Sequence, residues 1–201
     1  IQFAKSPAAG KVKTRMIPHL TPQQALHLHC DLVCWTTRCL VGAQLGPVQL
    51  AVAGDPLHPL FTTCRALGAC GVIPQSGEGL GERMYLALRA GLETFDTVVL
   101  VGSDCPGLDR AYLADAVAAL ARVKVVLGPA ADGGYVLIGA SEITPDVFRD
   151  IEWGTASVYR RTTERLERQG LSWAALPVRR DVDRPADLPH WEALRVRGAL
   201  R

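Results

Sequence analysis

The sequence predicts an α/β fold in three layers, with helices on both faces of a mostly parallel sheet. Short apolar runs of strand length, such as residues 48–54 and 97–102, alternate along the chain with longer segments that carry helical signals. Strands that alternate with helices in this way are typical of a parallel sheet covered on both faces. At 201 residues the chain can bury a substantial core, and we expect one domain over residues 1–201.

The start of the first long helix is the clearest local signal. Thr21 is a suitable N-cap, Pro22 stands at the first helical position, and Gln24 lies three residues after the cap. A later helix has an apolar residue at every fourth position: Leu80, Met84, Leu88 and Leu92. The predicted strands are 1–4, 48–54, 70–75, 97–102, 123–130, 135–140 and 171–178. The predicted helices are 21–43, 56–67 (a helix or a turn), 80–95, 109–121, 155–169 and one after residue 179.

The composition excludes several classes of partner. The net charge of +2 is too small to indicate nucleic acid or an acidic membrane surface, and the longest apolar runs are far shorter than a membrane span. The sequence shows no signal peptide and begins at Ile1, without a methionine. None of the six cysteines forms a C-x-x-C pair, so we expect apolar helix positions rather than a zinc site, and a cytoplasmic location.

The first candidate site is the basic segment FAKSPAAGKVKTRM, residues 3–16, after the first predicted strand. No acidic residue precedes Asp31. The segment is not a Walker A loop, because the first glycine and the Ser or Thr after the lysine are missing. A tight turn at Gly10 can still present backbone N–H groups to an anion, and basic side chains add charge-assisted donors. Phosphate binding and a solvated basic loop are the two interpretations of Lys5, Lys11, Lys13 and Arg15.

The second candidate is the segment SGEGLGER, residues 76–83. Its glycines follow the pattern G-x-G-x-G and not the G-x-G-x-x-G of dinucleotide-binding proteins. A loop that opens the N-terminus of a helix is still suited to contact a base, a ribose or a phosphate. Plain turn glycines are the alternative interpretation.

The third and most specific candidate is VVLVGSDCPGL, residues 98–108. An apolar strand delivers Ser103 and Asp104 to its carboxyl end, where ligands bind in parallel sheets. A carboxylate there is costly unless it is paired, hydrogen-bonded or bound to a metal. A hard divalent cation, held by the carboxylate and by substrate phosphates, fits this position. A helix cap or a structural carboxylate is the alternative.

Three further segments carry weaker signals. Asp132 precedes two glycines in GPAADGGYVLIG, a pattern that is typical of a hairpin turn but also lets a ligand approach the backbone closely. Asp181 and Asp183 alternate in RRDVDRPADL, so they would share a face of an extended segment. Asp183 is interpreted either as a helix cap or as a second metal carboxylate. In IEWGTASV, Trp153 and Thr155 are candidates for an acceptor pocket.

In order along the chain, these segments resemble one family of bacterial transferases. FAKSPAAGKVKTRM, GEGLGERM, VGSDCPGL, GPAADGGYVLIG, IEWGT and DVDRPADL are similar to segments of the selenodomain-associated or arsenosugar-biosynthesis-type glycosyltransferases, over nearly the whole chain. That family belongs to the nucleotide-diphospho-sugar transferase superfamily, whose relatives include the guanylyltransferases that act on phospholactate and molybdopterin. The resemblance implies a GT-A-like fold.

The resemblance also implies roles for individual residues. Nucleotide binding falls to Lys5, Gly10, Lys13, Arg15, Gly79, Gly81, Glu82, Arg83 and Ser103. The acceptor or transferred group would meet Asp132, Gly133, Gly134, Trp153 and Thr155. Catalysis would rest on Lys13, Asp104 and Asp132, with Asp132 as the candidate general base. Ser103-Asp104-Cys105 stands where GT-A glycosyltransferases commonly carry D-x-D, so Asp183 or substrate oxygens must complete a Mg²⁺ or Mn²⁺ site with Asp104.

We therefore expect a metal-dependent transferase with a nucleotide donor. The leading hypothesis is a glycosyltransferase that consumes a nucleoside-diphosphate sugar. The alternative is a nucleotidyltransferase that moves NMP from an NTP to a phosphate- or carboxylate-bearing acceptor and releases pyrophosphate, and the dense basic loop favours it. A nucleotide-sensing module without turnover is a third hypothesis. The expected partners are the donor and a small-molecule acceptor, with no nucleic acid and no membrane, and a homodimer is left open.

Overall fold

A seven-stranded sheet forms the middle layer of the protein. The computed structural model describes residues 1–199. The strands are β1 Gln2–Lys5, β2 Gln49–Ala53, β3 Gly71–Pro74, β4 Val98–Val101, β5 Val125–Pro129, β6 Tyr135–Ala140 and β7 Trp173–Ala175. The helices are α1 Pro22–Ala43, α2 Pro59–Ala66, α3 Leu80–Leu92, α4 Arg110–Leu120, α5 Val158–Arg168 and α6 Leu188–Ala199, with 3-10 helices at Thr14–Met16, Pro145–Phe148 and Pro185–Asp187.

The strand order across the sheet is β3-β2-β1-β4-β6-β5-β7. All neighbouring strands are parallel except β6, which runs antiparallel to both β4 and β5. The prediction of a mostly parallel sheet is therefore confirmed. Because β5 and β6 form a hairpin, the turn between them lies at the same edge of the sheet as the carboxyl ends of the six parallel strands. We call this edge the carboxyl edge.

Alternate residues of the strands point to opposite faces of the sheet and pack there into separate apolar clusters. Val126 and Leu137 pack under α4, whereas their neighbours Leu127 and Ile138 pack under α3 and α5. Helix α1 lies on the same face as α4 and also packs against α2. Helices therefore cover both faces, and the predicted three-layer architecture is confirmed. None of the helices within residues 1–199 combines the length and the apolar character that a bilayer crossing requires.

Local signals explain where the elements begin and end. The predicted capping box of α1 is present, since the Thr21 hydroxyl accepts from the Gln24 N–H at 3.2 Å and the Gln24 side chain accepts from the Thr21 N–H at 2.9 Å. The last strand is shorter than predicted. It ends at Ala175, and Pro177, which has no N–H to donate, follows shortly afterwards. Beyond it, the regular pairing with β5 is replaced by an isolated parallel bridge between Ala130 and Arg179.

Candidate active site

Three segments meet at the carboxyl edge around one buried cation. The first is the opening loop, which we define as residues 5–20 and which begins at the last residue of β1. The second is residues 102–107, after β4. The third is residues 176–183, after β7, which we call the crossing segment because it runs over the carboxyl edge from β7 to β4. In the sheet itself β7 and β4 are separated by β5 and β6.

Backbone hydrogen bonds fix the path of the crossing segment. The Leu176 N–H donates to the Leu127 carbonyl at 2.8 Å, and the Arg179 N–H donates to the Pro129 carbonyl at 2.9 Å. Further on, the Val182 N–H donates to the Asp104 carbonyl at 2.8 Å. The crossing segment thus carries residue 183 from the far side of the sheet to the end of β4.

Lys13 is the buried cation at the centre of the site. Its side chain is only 3% exposed, and its Nζ lies 2.7 Å from Asp104 Oδ1 and 3.2 Å from Asp183 Oδ1. Nζ also donates to the Val182 carbonyl at 2.6 Å. Burial opposes the charged form of Lys13, but the two carboxylates outweigh it and raise the pKa of the ammonium above its ordinary value. Lys13 therefore stays charged throughout the physiological range.

The contacts of Asp183 argue against one of its two interpretations, that of a helix cap. Arg15 donates to Asp183 Oδ2 at 2.8 Å, so this carboxylate is shared between two cations of the opening loop. It does not cap the following helical turn. That role belongs to Asp187, whose Oδ2 accepts from the backbone N–H groups of Asp183 and Arg184 at 3.0 and 2.8 Å.

Asp104 is likewise not a helix cap. The N-cap of α4 is Asp109, whose Oδ1 accepts from the Tyr112 N–H at 2.8 Å. The Asp104 side chain is 44% exposed and contacts Lys13, so one of its oxygens faces the ammonium while the group remains open to solvent. Asp104 and Asp183 therefore both face the ammonium group of Lys13.

The carboxylate oxygens of Asp104 and Asp183 suit a divalent cation whose remaining coordination positions are filled by a bound substrate. No group of three or more His, Cys, Asp or Glu side chains with metal-binding geometry occurs within residues 1–199. Mg²⁺, however, is usually held by only one or two carboxylates, with phosphate and water oxygens filling the other positions. Asp104 and Asp183 would be the two carboxylates of such a site.

Asp181, in the crossing segment, lies within electrostatic reach of Lys13, Asp104 and Asp183. No role was predicted for it from the sequence. Burial, together with the charges of Asp104 and Asp132, raises the pKa of its carboxyl to about 7. The alternation of Asp181 with Asp183 was the only signal for it in the sequence. The influence of Asp132 also shows that the hairpin turn lies within electrostatic reach of the crossing segment.

Two side chains of helix α1 form hydrogen bonds to the backbone at the carboxyl edge. Neither was predicted from the sequence to belong to the site. His29 is buried, and its Nε2 donates to the Lys5 carbonyl at the end of β1 at 2.8 Å. Burial lowers the pKa of His29, so the ring is a neutral donor. One and a half turns later, the Trp35 Nε1–H donates to the Pro106 carbonyl at 3.0 Å. Both bonds restrain loops at the carboxyl edge.

Ser103 points into the protein and not into the site. Its hydroxyl donates to the Phe3 carbonyl at 2.7 Å and accepts from Gln2 Nε2 at 3.0 Å. Gln2 also accepts from the Thr37 hydroxyl at 2.8 Å. These buried hydrogen bonds tie β1, α1 and the end of β4 together, so Ser103 fixes the position of the neighbouring Asp104.

The other basic residues of the opening loop are exposed. Lys5 Nζ donates to the Lys11 carbonyl at 3.0 Å, and within residues 1–199 neither lysine forms a salt bridge. Gly10 adopts a positive φ of 72°, as its predicted place in a tight turn requires. Lys5 and Lys11 are therefore available to an anionic ligand, whereas Lys13 is buried.

The polar groups of the glycine segment, residues 76–83, are used locally. Glu82 Oε2 accepts from the Glu78 N–H at 2.9 Å, and Arg83 Nε donates to the Gly77 carbonyl at 2.9 Å. Gly79 is the N-cap residue of α3. The segment lies at the carboxyl edge after β3, but these hydrogen bonds do not involve Lys13, Asp104 or Asp183.

Gly81 packs against an aromatic side chain. A Cβ at this position would lie 2.8 Å from Trp153 Cζ2 and 3.1 Å from the Phe148 carbonyl oxygen. Glycine is therefore required for the contact between α3 and the segment around Trp153. Trp153 itself stacks on Phe148 and meets Tyr135 edge to face, with ring centroids 6.5 and 6.3 Å away. It is half-buried at the rim of this core.

The β5–β6 turn is held by its own backbone and by the start of α5. Asp132 Oδ1 accepts from the Gly134 N–H at 3.0 Å, which is an Asx turn. Gly133 has a positive φ of 92°, and a Cβ there would collide with the carbonyl of Ala156. Its own carbonyl accepts from the Tyr159 N–H at 2.8 Å. The other predicted acceptor residue, Thr155, bonds locally to the Glu152 carbonyl at 2.9 Å.

A family comparison identifies the chain. Residues 36–155 match the family described as "Uncharacterized protein conserved in bacteria (DUF2064)". The chain belongs to the DUF2064 family. In this DUF2064 protein, the matched range contains Asp104 and Asp132, whereas the opening loop and the crossing segment lie outside it. No curated protein matches the sequence.

Solved structures extend the comparison. A protein from Desulfovibrio desulfuricans G20, provisionally named a nucleotide-diphospho-sugar transferase, is 35% identical with a TM-score of 0.81, covering 91% of this chain and 80% of that one. A nucleotidyl transferase from Methanothermobacter is 14% identical with a TM-score of 0.65, covering 98% and 97% of the two chains. A CMP:2-keto-3-deoxy-manno-octonic acid synthetase in complex with CTP is 14% identical with a TM-score of 0.59, covering 98% of each chain.

These findings confirm three predictions at a coarse level. The D. desulfuricans relative confirms the superfamily and the prediction of a transferase, and the two more distant structures share the GT-A-like fold. Together they support a transferase that uses a nucleotide. The narrower resemblance, to selenodomain-associated or arsenosugar-biosynthesis-type glycosyltransferases, stays a prediction.

Proposed function

We propose that this DUF2064 protein is a metal-dependent glycosyltransferase that consumes a nucleoside-diphosphate sugar. The observation that carries the proposal is that Asp104 and Asp183 both contact Lys13 Nζ, at 2.7 and 3.2 Å, in a loop that also carries two exposed lysines. Carboxylates that hold a divalent cation, next to basic groups that bind phosphates, are the parts that such a transfer needs. The name of the D. desulfuricans relative supports the choice of donor.

In this proposal Asp104 and Asp183 hold Mg²⁺ or Mn²⁺, and Lys5, Lys11 and Arg15 contact the donor phosphates. The bound metal would supply charge stabilisation for the departing diphosphate. Lys13 and Arg15 add to that stabilisation from the protein side. Asp132, on the β5–β6 turn, lies on the acceptor side and is the candidate base that takes the acceptor's proton.

Nucleotidyl transfer is the second candidate function, and one observation favours it. Lys5 and Lys11 form no salt bridge within the described residues 1–199, so the opening loop carries positive charge beyond what Asp104 and Asp183 neutralise. An NTP brings more negative charge to such a loop than a sugar diphosphate does. In that reaction an acceptor phosphate or carboxylate attacks the α-phosphate, the bond to the β-phosphate oxygen breaks, and pyrophosphate leaves.

A thermal-shift panel of NTPs and nucleotide sugars, each with and without Mn²⁺, separates these functions. A ligand at about 100 times its Kd stabilises the native state by roughly 2.7 kcal/mol, a shift of several degrees at this size. Metal-dependent stabilisation by a nucleotide sugar, and not by its parent NTP, is the expected result. Stabilisation by an NTP alone would favour nucleotidyl transfer, and pyrophosphate release would then be assayed.

The matched variant for this panel is Asp104→Asn. Its side chain keeps the shape of Asp104 but loses the charge, so the metal-dependent part of the shift should disappear. If the shift persists unchanged, Asp104 does not hold the metal. If no nucleotide produces any shift, with or without metal, the proposed donor class is wrong.

A further inference from the structure

Lys13 has the surroundings of a bound metal ion. Three oxygens surround its Nζ: Val182 O at 2.6 Å, Asp104 Oδ1 at 2.7 Å and Asp183 Oδ1 at 3.2 Å. The ammonium is almost completely shielded, with a side-chain exposure of 3%. A cation that is buried among three oxygens in this way neutralises both carboxylates at once.

The backbone around Lys13 holds the side chain in this place. Lys13 has a left-handed conformation, with a φ of 50°, which is unfavourable for a residue with a Cβ. Its flanks are anchored, because Val12 and Met16 are buried at 4% and 0% exposure. Backbone strain that is maintained by well-packed neighbours is characteristic of functional positions.

A divalent cation cannot occupy the same point as the ammonium. Two positive charges within a few ångströms repel each other, and the two carboxylates cannot satisfy both equally. A metal that enters without a donor therefore has to displace Lys13 from both carboxylates. A donor changes this balance, since its phosphates offer the displaced ammonium a new anionic partner.

We propose that Lys13 is an internal substitute for the metal and makes tight metal binding depend on the nucleotide donor. This inference rests on the proposed function, in which Asp104 and Asp183 hold the divalent cation. Among the other basic residues of the opening loop, Arg15 contacts only Asp183 and is 51% exposed. Lys5 and Lys11 do not contact either carboxylate. Lys13 alone in this loop lies between the two.

The test is a titration of Mn²⁺, followed by its electron paramagnetic resonance signal, with the full chain and no nucleotide. Wild type should bind Mn²⁺ weakly. Lys13→Met keeps the apolar stem and removes the charge, so it should bind Mn²⁺ at least about tenfold more tightly. Lys124→Met is the control, because it removes an exposed lysine charge outside the site, and it should bind Mn²⁺ like wild type. Equal or weaker binding by Lys13→Met overturns the inference.

Further arms of the titration separate this inference from the proposed function. Adding a nucleotide sugar should tighten Mn²⁺ binding by wild type but change Lys13→Met far less. If wild type shows that tightening while Lys13→Met binds no better than wild type without nucleotide, the metal site stands and the role of Lys13 falls. If neither protein binds Mn²⁺ under any condition, both fall. Should Lys13→Met fail to fold by circular dichroism, Lys13→Gln, which keeps a hydrogen-bond donor, takes its place.

Discussion

The opening loop and the glycine segment differ in where their polar groups bind. Both follow a strand, both contain glycine, and both lie at the carboxyl edge. Lys13 of the opening loop bonds to Asp183, 170 residues away in the sequence. In the glycine segment, Glu82 and Arg83 bond to residues only four and six positions away. One segment is therefore part of a long-range charge cluster, and the other is a self-contained turn that packs α3 against Trp153.

This difference shows how segments with similar sequence character can have separate uses. The opening loop contains no acidic residue, so its basic side chains pair with carboxylates from distant parts of the sequence or with a ligand. The glycine segment carries both signs and can satisfy itself. We therefore expect changes in the glycine segment to act through packing, and changes around the opening loop to act through charge. Three substitutions test this comparison.

The largest effect is expected from Gly81→Val. The new Cβ would lie 2.8 Å from Trp153 Cζ2 and 3.1 Å from a backbone oxygen, so α3 and its neighbour must move apart. Overpacking of this kind costs about 3 kcal/mol, which chemical denaturation would detect. Gly79→Ala is the control, because no atom lies within 4 Å of its added Cβ. If both variants are as stable as wild type, the glycine segment has no packing role and its predicted contact with the nucleoside gains support.

A smaller effect is expected from Asp183→Asn. The buried Lys13 would lose one of its two carboxylates, and Arg15 would lose its partner. Since Asp183 is itself one-third exposed, we expect the free energy of unfolding to fall by about 2 kcal/mol, less than for a fully buried pair. The control is Glu93→Gln in the exposed pair with Arg89, where the N–O distance is 4.0 Å. That change should stay within about 0.5 kcal/mol, and equal effects of the two variants would contradict the comparison.

The smallest effect concerns pH and Asp181. Its pKa of about 7 in the folded protein lies above the ordinary 3.8. Between these values the unfolded chain releases the proton while the native protein retains it, so native stability falls as pH rises through this window. In metal-free buffer, Asp181→Asn should therefore be more stable than wild type by at least about 1 kcal/mol at pH 8 and equally stable at pH 4. A constant difference between Asp181→Asn and wild type at both pH values would contradict the assignment.

Much of the fold could be predicted from local patterns. The capping box at Thr21, the buried strand runs and the Asp-Gly turn at Asp132 each depend on neighbours within a few residues. The site could be predicted only in part. Asp104 follows an apolar strand, and Asp183 is an acid in an extended segment, so both could be proposed as ligands of one metal.

Long-range geometry limited the rest of the prediction. Local sequence describes Lys13 as one basic residue among four, but its burial depends on the crossing segment, which no local pattern predicts. The family resemblance implied a nucleotide contact for Ser103, yet its hydroxyl bonds inside the protein to the Phe3 carbonyl. His29 and Trp35 look like ordinary helix residues, and only the tertiary structure shows that they hold the ends of β1 and β4.

Because the site needs the crossing segment, it forms late in the synthesis and folding of the chain. Its two halves, around Lys13 and Asp183, are separated by 170 residues, and contacts of such separation form slowly because a long stretch of chain must first be ordered. A nascent chain that ends before residue 183, or one cleaved within residues 176–183, lacks the second carboxylate altogether. Such a chain cannot bring two carboxylates to Lys13, so under the proposed function it would not assemble the site for metal and donor.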